Sequence, residues 1–146
     1  MKDHFKFFLK NLEDTEKFST KLVKYLLPKT CICIRGELGV GKTTLVRYAL
    51  RKLSNSKLNV KSPTFSLVNT YEFKTIKVWH YDLYRLRDKS EIYNLDFELA
   101  MNDCIIIEWP EIIEEILPKK RIDIFMKEMA GSVELLFIPV NMKINI

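Results

Sequence analysis

Apolar positions along the chain switch between two rhythms, one of period two and one of period near 3.6, and the switches mark out the elements. HFKFFL predicts a short strand. In LEDTEKFSTKLVKYLL, residues Phe18, Leu22, Tyr25 and Leu26 recur at helical spacing, with Asn11 or Asp14 placed to cap the helix and Pro28 to stop it. TCICIR is apolar almost throughout, as a strand covered on both faces should be. A helix is expected from Lys42 to Leu53, with Leu45, Ala49 and Leu53 on one face, and SNSKLN after it as a loop. FSLVNTYEF and IKVWHYDLY, separated by Lys74 and Thr75, predict an antiparallel hairpin. KSEIYNLDFELAM predicts a helix, CIIIEW a second buried strand, and PEIIEEIL a short helix opening on Pro110. RIDIFMKEM and SVELLFIPV, joined across Ala130 and Gly131, predict a closing hairpin.

Strands and helices alternate early and hairpins follow, so the expected fold is α/β with a mixed parallel/antiparallel sheet flanked by helices. No repeat, low-complexity tract or linker interrupts it, and residues 1–146 are expected to form a single domain. Composition changes this picture little. The chain is 47% apolar and 29% charged, a globular balance that excludes disorder. Its 24 basic and 19 acidic residues leave a net charge of +5, spread as single lysines. That permits an anionic partner without demanding one. Cys31, Cys33 and Cys104 include no CxxC pair, and Cys31 and Cys33 share a strand face as small buried residues. A reducing compartment follows as the expectation. No apolar run is long enough to span a membrane, and the N-terminus lacks the features of a signal or transit peptide, so the cytoplasm is the expected location.

Candidate chemistry changes the picture more. Gly36-Glu-Leu-Gly-Val-Gly41-Lys42-Thr43 fits G-x-x-x-x-G-K-[ST] without a mismatch. At background usage the bare pattern arises in roughly one chain of this length in 200. Here three of the four glycines lie within six residues, between a predicted strand and a predicted helix. Glycines let the backbone wrap an anion so that successive N–H groups point inward. Lys42 then supplies a point charge to the β- and γ-phosphates, Thr43 a hydroxyl for Mg²⁺, and the helix its positive end. Neither N-K-x-D nor a D-x-x-G following a strand is present, which favours adenine over guanine. The domain is thus expected to be a P-loop NTPase.

Such a site needs an acid at a neighbouring strand end. Glu108 closes CIIIE, and Asp82 closes KVWHYD, where Val78, His80 and Asp82 share one face. Glu108, after three isoleucines, is expected on a central strand and held rigidly. Asp82, on a hairpin strand, is expected to be the more exposed and mobile of the two. Lys42 is expected outside the core. Ser62-Pro63-Thr64 sets a rigid turn and two hydroxyls before a strand, where a segment that senses the γ-phosphate or metal would sit.

Four segments, GELGVGKTTLVR, VKSPTFSLVNTY, HYDLYRL and IIIEWPE, in this order and at this spacing, resemble the bacterial TsaE family, formerly YjeE. Its members are small P-loop ATPases needed for making threonylcarbamoyladenosine beside the tRNA anticodon. The resemblance runs from about Asp14 to Arg121. It implies that Gly39, Val40, Gly41, Lys42, Thr43 and Thr44 bind the phosphates of ATP or ADP, and that Thr43 and Glu108 hold Mg²⁺. It implies that Asp82 serves catalysis near the γ-phosphate together with Lys42, and that Thr64 lies in the switch-like segment. Trp109 would pack beside the site, and Thr15, in DTEKF, would approach the adenine. The partners it implies are TsaD-like and TsaB-like proteins, with tRNA contacted only indirectly or weakly and no membrane involved. Hydrolysis would reset the complex rather than drive group transfer. Members often carry Asp-Leu-Gly-Ala where this chain has Glu37-Leu38-Gly39-Val40, and His-Phe-Asp where it has His80-Tyr81-Asp82. Neither departure removes a group the chemistry needs. A small-molecule kinase or a non-hydrolysing nucleotide sensor would use the same loop, but no long insertion is available for a kinase lid.

Overall fold

The computed structural model describes residues 3–54 and 58–146, and its first element is an edge strand, β1 (Phe5–Leu9). Asn11 then opens α1 (Leu12–Leu22), its side-chain oxygen accepting from the Asp14 N–H at 2.9 Å while Asp14 accepts from the Lys10 N–H. The two candidate caps act together: Asn11 is the cap, and Asp14 satisfies a second orphan donor just before it. All five residues of β2 (Cys31–Arg35) are buried, as their apolar run predicts. Directly after the Gly-rich loop, α2 (Lys42–Ser54) buries Leu45, Val46, Ala49 and Leu50, with Leu53 half-buried. Of the expected SNSKLN loop, residues 55–57 lie outside the described residues, and Ser54 closes the helix.

The expected hairpin forms from β3 (Val68–Glu72) and β4 (Lys77–Asp82), but β3 begins three residues later than FSLVNTYEF suggests. Leu67 adopts a left-handed backbone with φ 68°, which ends the extended run, and Phe65 stands exposed. The helix expected over 89–101 is broken. A 3₁₀ segment, Lys89–Leu95, opens on an Asp88–Glu91 capping box, and a short α3 (Phe97–Ala100) follows across Asp96, whose φ is 57°. The Leu95 carbonyl leaves the helical ladder to accept from the buried Tyr81 hydroxyl at 2.7 Å. After β5 (Cys104–Glu108), the segment Pro110–Ile116 is also 3₁₀, kinked at Ile113. The closing hairpin is β6 (Arg121–Met129) and β7 (Ser132–Val140).

The seven strands make one sheet in the order β1-β7-β6-β2-β5-β4-β3. Its centre is parallel, β2 pairing with both β5 and β6, and β5 with β4; the flanking pairs are antiparallel. The fold class is therefore the expected one. Alternate residues of the parallel strands feed two cores. Ile32, Ile34, Val78 and Ile106 pack with Leu45, Ala49 and Leu50 of α2, and with Phe18 and Leu22 of α1. Cys33, Tyr81, Ile105 and Ile107 face the other way, against Ile92, Phe97 and Ile113. Cys31 and Cys33 share this second face, their sulfurs 3.9 Å apart, and both thiols are free and buried. No helix among the described residues is long and apolar enough to cross a membrane.

Ile32, wholly buried and paired with Ile106 and Ile122, should be sensitive to truncation. Ile32→Ala is expected to cost about 2–5 kcal/mol in urea unfolding, with the m-value unchanged; a loss below about 1 kcal/mol would contradict the packing described.

Candidate functional site

Parallel strands align their C-terminal ends, and open α/β sheets bind ligands beyond those ends. Here β2, β5 and β4 stand side by side, so the loop after β2 lies beside Glu108 at the tip of β5 and Asp82 at the tip of β4. Asp82 and Glu108 are register partners. Around them opens a cleft of about 240 Å³ lined by Gly39, Gly41, Lys42, Thr43, Thr44, Ser62, Thr64 and Trp109. Nearly every residue singled out from the sequence meets in this one place. The exceptions, Val40 and Thr15, face a second cavity of about 270 Å³ that shares Gly41 and Thr44 with the first. Thr15 is buried there and its hydroxyl turns to the Asn11 carbonyl.

Two glycines give the loop its course for different reasons. A Cβ on Gly36 would lie 2.6 Å from the Met126 carbonyl oxygen, so the chain leaves β2 where only glycine fits against β6. Gly39 has open space around it but a left-handed φ of 81°. Across Gly39 the Val40 N–H bonds the Glu37 carbonyl at 3.2 Å, tightening the turn.

Lys42 is buried at the wall of the cleft and belongs to neither apolar core, as expected. Its Nζ donates to the carbonyls of Gly36 at 2.5 Å and Glu37 at 2.9 Å and lies 4.3 Å from the centre of the Trp109 ring. Burial lowers the ammonium from its ordinary pKa, while the charges of Glu108, Asp82, Glu111 and Glu37 act in the opposite sense. The Thr43 hydroxyl donates to Glu108, at 2.8 Å from Oε1 and 3.0 Å from Oε2. Glu108 is 2% exposed and Asp82 4%, so the expected contrast in exposure is absent. The hairpin strand bearing Asp82 is flanked by β3 and β5, and this covers it. The Asp82 oxygens accept from Thr64 Oγ1 at 3.0 Å and from the Tyr84 N–H at 3.1 Å, and Thr64 is 2.6 Å from the Ser62 hydroxyl. Trp109 holds a left-handed backbone, φ 58°, just before Pro110, and its ring packs 4.9 Å from that of Tyr84.

Two supporting groups were missed in the sequence. His80 Nε2 lies 2.6 Å from Glu108 Oε2; the sharing of one face by His80 and Asp82 was the available signal. Arg35, the last residue before the loop, forks onto Glu114 at 2.8 and 3.0 Å and reaches Asp123 at 3.2 Å. Burial opposes its charge, but Glu114 and Asp123 outweigh that and raise its pKa. The pair ties the loop's root to the segment after Trp109. A charge closing an apolar strand was the sign of it.

The donor set can be tested against a metal. Among the described residues no group of three or more His, Cys, Asp or Glu side chains would hold an ion unaided. A hydroxyl beside one carboxylate suits Mg²⁺, which takes one or two protein ligands and completes its shell with phosphate oxygens and water. The glycine turn beside a buried ammonium suits the phosphates.

A family model described as "Threonylcarbamoyl adenosine biosynthesis protein TsaE" matches residues 9–134. The Rickettsia felis protein named "tRNA threonylcarbamoyladenosine biosynthesis protein TsaE" is 37% identical over 134 residues, 91% of this chain and 78% of that relative. The Bacillus subtilis protein of the same name is 32% identical over 124 residues, 85% of this chain and 77% of its own. The crystal structure of Bacillus subtilis YdiB matches with a TM-score of 0.77, covering 97% of this chain and 88% of that one at 24% identity, a likeness of fold.

The two glycines predict different losses. Gly36→Ala should destabilise by several kcal/mol, because strand β6 must move, and Gly39→Ala by about 1–2 kcal/mol from conformation alone. Thermal unfolding of both variants measures this, and an equal or larger loss at Gly39 would contradict the close approach at Gly36.

Proposed function

The chain belongs to the TsaE family and so has a role in tRNA threonylcarbamoyladenosine biosynthesis, and from that premise we propose that it acts there as a Mg²⁺-dependent ATPase. The observation that carries this reading is the meeting of Lys42, Thr43, Asp82 and Glu108 in one cleft beside a glycine turn. Lys42 leaves the carbonyls of Gly36 and Glu37 to bind phosphate oxygens, which are better acceptors for a buried ammonium. The loop N–H groups and the first turn of α2 hold the rest of the phosphate chain. Thr43 and Glu108 are the residues that would hold Mg²⁺, which would supply charge neutralisation to the phosphates. Asp82 and Thr64 stand beside the reacting end, where releasing their mutual hydrogen bond frees Asp82 to orient the attacking water. Thr15 and Val40 line the cavity proposed for the adenine. TsaD-like and TsaB-like proteins are the proposed partners, and hydrolysis is expected to be weak without them.

The direct test is threonylcarbamoyl transfer to tRNA in a reconstituted system, with the wild-type chain, with Lys42→Ala, or with neither. Transfer should continue over many turnovers only with the wild type. Transfer that is indifferent to the chain would overturn the role of its ATPase, and phosphorylation of a metabolite would favour a kinase.

Lys42→Ala should weaken ATP binding roughly ten- to hundredfold, the loss of a charged hydrogen bond. It should unfold no earlier than the wild type, since burial already works against that ammonium. Calorimetry and thermal unfolding measure the two, and wild-type ATP affinity in the variant would remove the loop from the site.

Glu108→Gln should weaken the Mg²⁺ dependence of both ATP and ADP binding. Asp82→Asn should leave ADP affinity nearly unchanged and slow partner-stimulated hydrolysis. The reverse pattern in Mg²⁺ titrations would mean the two carboxylates exchange roles.

A further inference from the structure

His80 is a polar side chain that core packing does not account for. It is wholly buried on β4, on the face where Val78, Cys104 and Ile106 contribute to the apolar core. Its Nδ1 has no hydrogen-bond partner, a state shared only with Arg35 Nε among the buried side-chain atoms of the described residues. An unpaired buried nitrogen costs about 1–3 kcal/mol, and an apolar residue of similar shape would avoid that cost. Filling space is therefore a poor reason for an imidazole here.

The other nitrogen supplies the reason. Nε2 lies 2.6 Å from Glu108 Oε2, a charge-assisted distance. A carboxylate only accepts, so Nε2 carries the hydrogen, whether or not Nδ1 carries one too. Thr43 cannot orient Glu108 alone: its one hydroxyl hydrogen is shared between oxygens at 2.8 and 3.0 Å. His80 touches Oε2 only and so makes the two oxygens inequivalent. With Oε2 held, Oε1 is left beside the Thr43 hydroxyl at the cleft. The register makes this reach possible, since His80 pairs with Ile106, two residues before Glu108 at the end of β5, and so points to the same side as Glu108.

We propose that His80 is a positioning residue that fixes the Glu108 carboxylate so that Oε1 is the oxygen offered, with Thr43 Oγ1, to a divalent cation or its water. The inference rests on the nucleotide–Mg²⁺ reading of the cleft. His80 touches no ligand itself; it acts through Glu108, as partners behind metal ligands do.

The test is ADP binding by calorimetry, in Mg²⁺ and in EDTA, for the wild type and for His80→Leu, His80→Phe and His80→Gln. The apolar variants remove the donor; the Gln amide restores one near the reach of Nε2. In Mg²⁺ the Leu and Phe variants should bind ADP roughly ten- to hundredfold more weakly, with affinity in EDTA within about twofold of wild type. His80→Gln should recover most of the Mg²⁺ gain. The proposal is overturned if an apolar variant keeps the full gain, if the loss is the same with and without Mg²⁺, or if Gln behaves as Leu does. If Leu and Phe both fail to fold by circular dichroism, His80 is a packing residue and the proposal falls. A wild type with no Mg²⁺ gain would instead bring down the underlying reading of the cleft.

Discussion

The carboxylate of Glu108 joins the tip of β5 to the first turn of α2 through Thr43, and the geometry of the cleft follows from that bond. A buried charge is tolerated only when it is paired or well hydrogen-bonded. Glu108 meets this with a hydroxyl from α2 and an imidazole from β4, so three elements converge on one group. Lose the carboxylate and the Thr43 hydroxyl and His80 Nε2 are both left without their acceptor. The central parallel pairing makes the convergence possible, because β2, β5 and β4 end at the same level.

Charge of both signs is concentrated at this end of the sheet. Lys42, Asp82 and Glu108 are all buried there, with Arg35 beneath the loop. Such groups contribute little to stability and often reduce it. Lys42 and Asp82 are partnered by local carbonyls, hydroxyls and N–H groups that a ligand can replace, Lys42 on the Gly36 and Glu37 carbonyls and Asp82 on Thr64, whereas Glu108 is also held by the buried His80. Arg35 differs: its fork onto Glu114 and its reach to Asp123 are side-chain ion pairs that hold the root of the loop still. Replaceable polar contacts thus sit on an ion-paired base.

The strands and the two long helices could be read from the chain because their periodicities are local, and CICIR and CIIIE are as buried as their apolar runs imply. What the chain concealed depended on contacts between distant residues. Residues 89–101 have a helical pattern, yet the Tyr81 hydroxyl claims the Leu95 carbonyl and Asp96 turns left-handed. The exposure of Asp82 was misjudged because a hairpin strand need not be an edge, and β5 covers it. The loop was legible from its own spacing, Asp82 and Glu108 as acids closing apolar strands, and Thr64 through the family resemblance. His80 and Arg35 act through Glu108, Glu114 and Asp123; a shared strand face and a strand-end charge hinted at them, but their partners lie on distant segments.

The most direct measurement is a crystal structure with a non-hydrolysable ATP analogue and Mn²⁺, the ion located by its anomalous signal. The account predicts the ion within bonding distance of Thr43 Oγ1, with Glu108 bound to it directly or through one water, and Lys42 Nζ moved onto a phosphate oxygen. An ion bound away from Thr43 and Glu108, or Lys42 still on the carbonyls of Gly36 and Glu37 beside bound nucleotide, would contradict it.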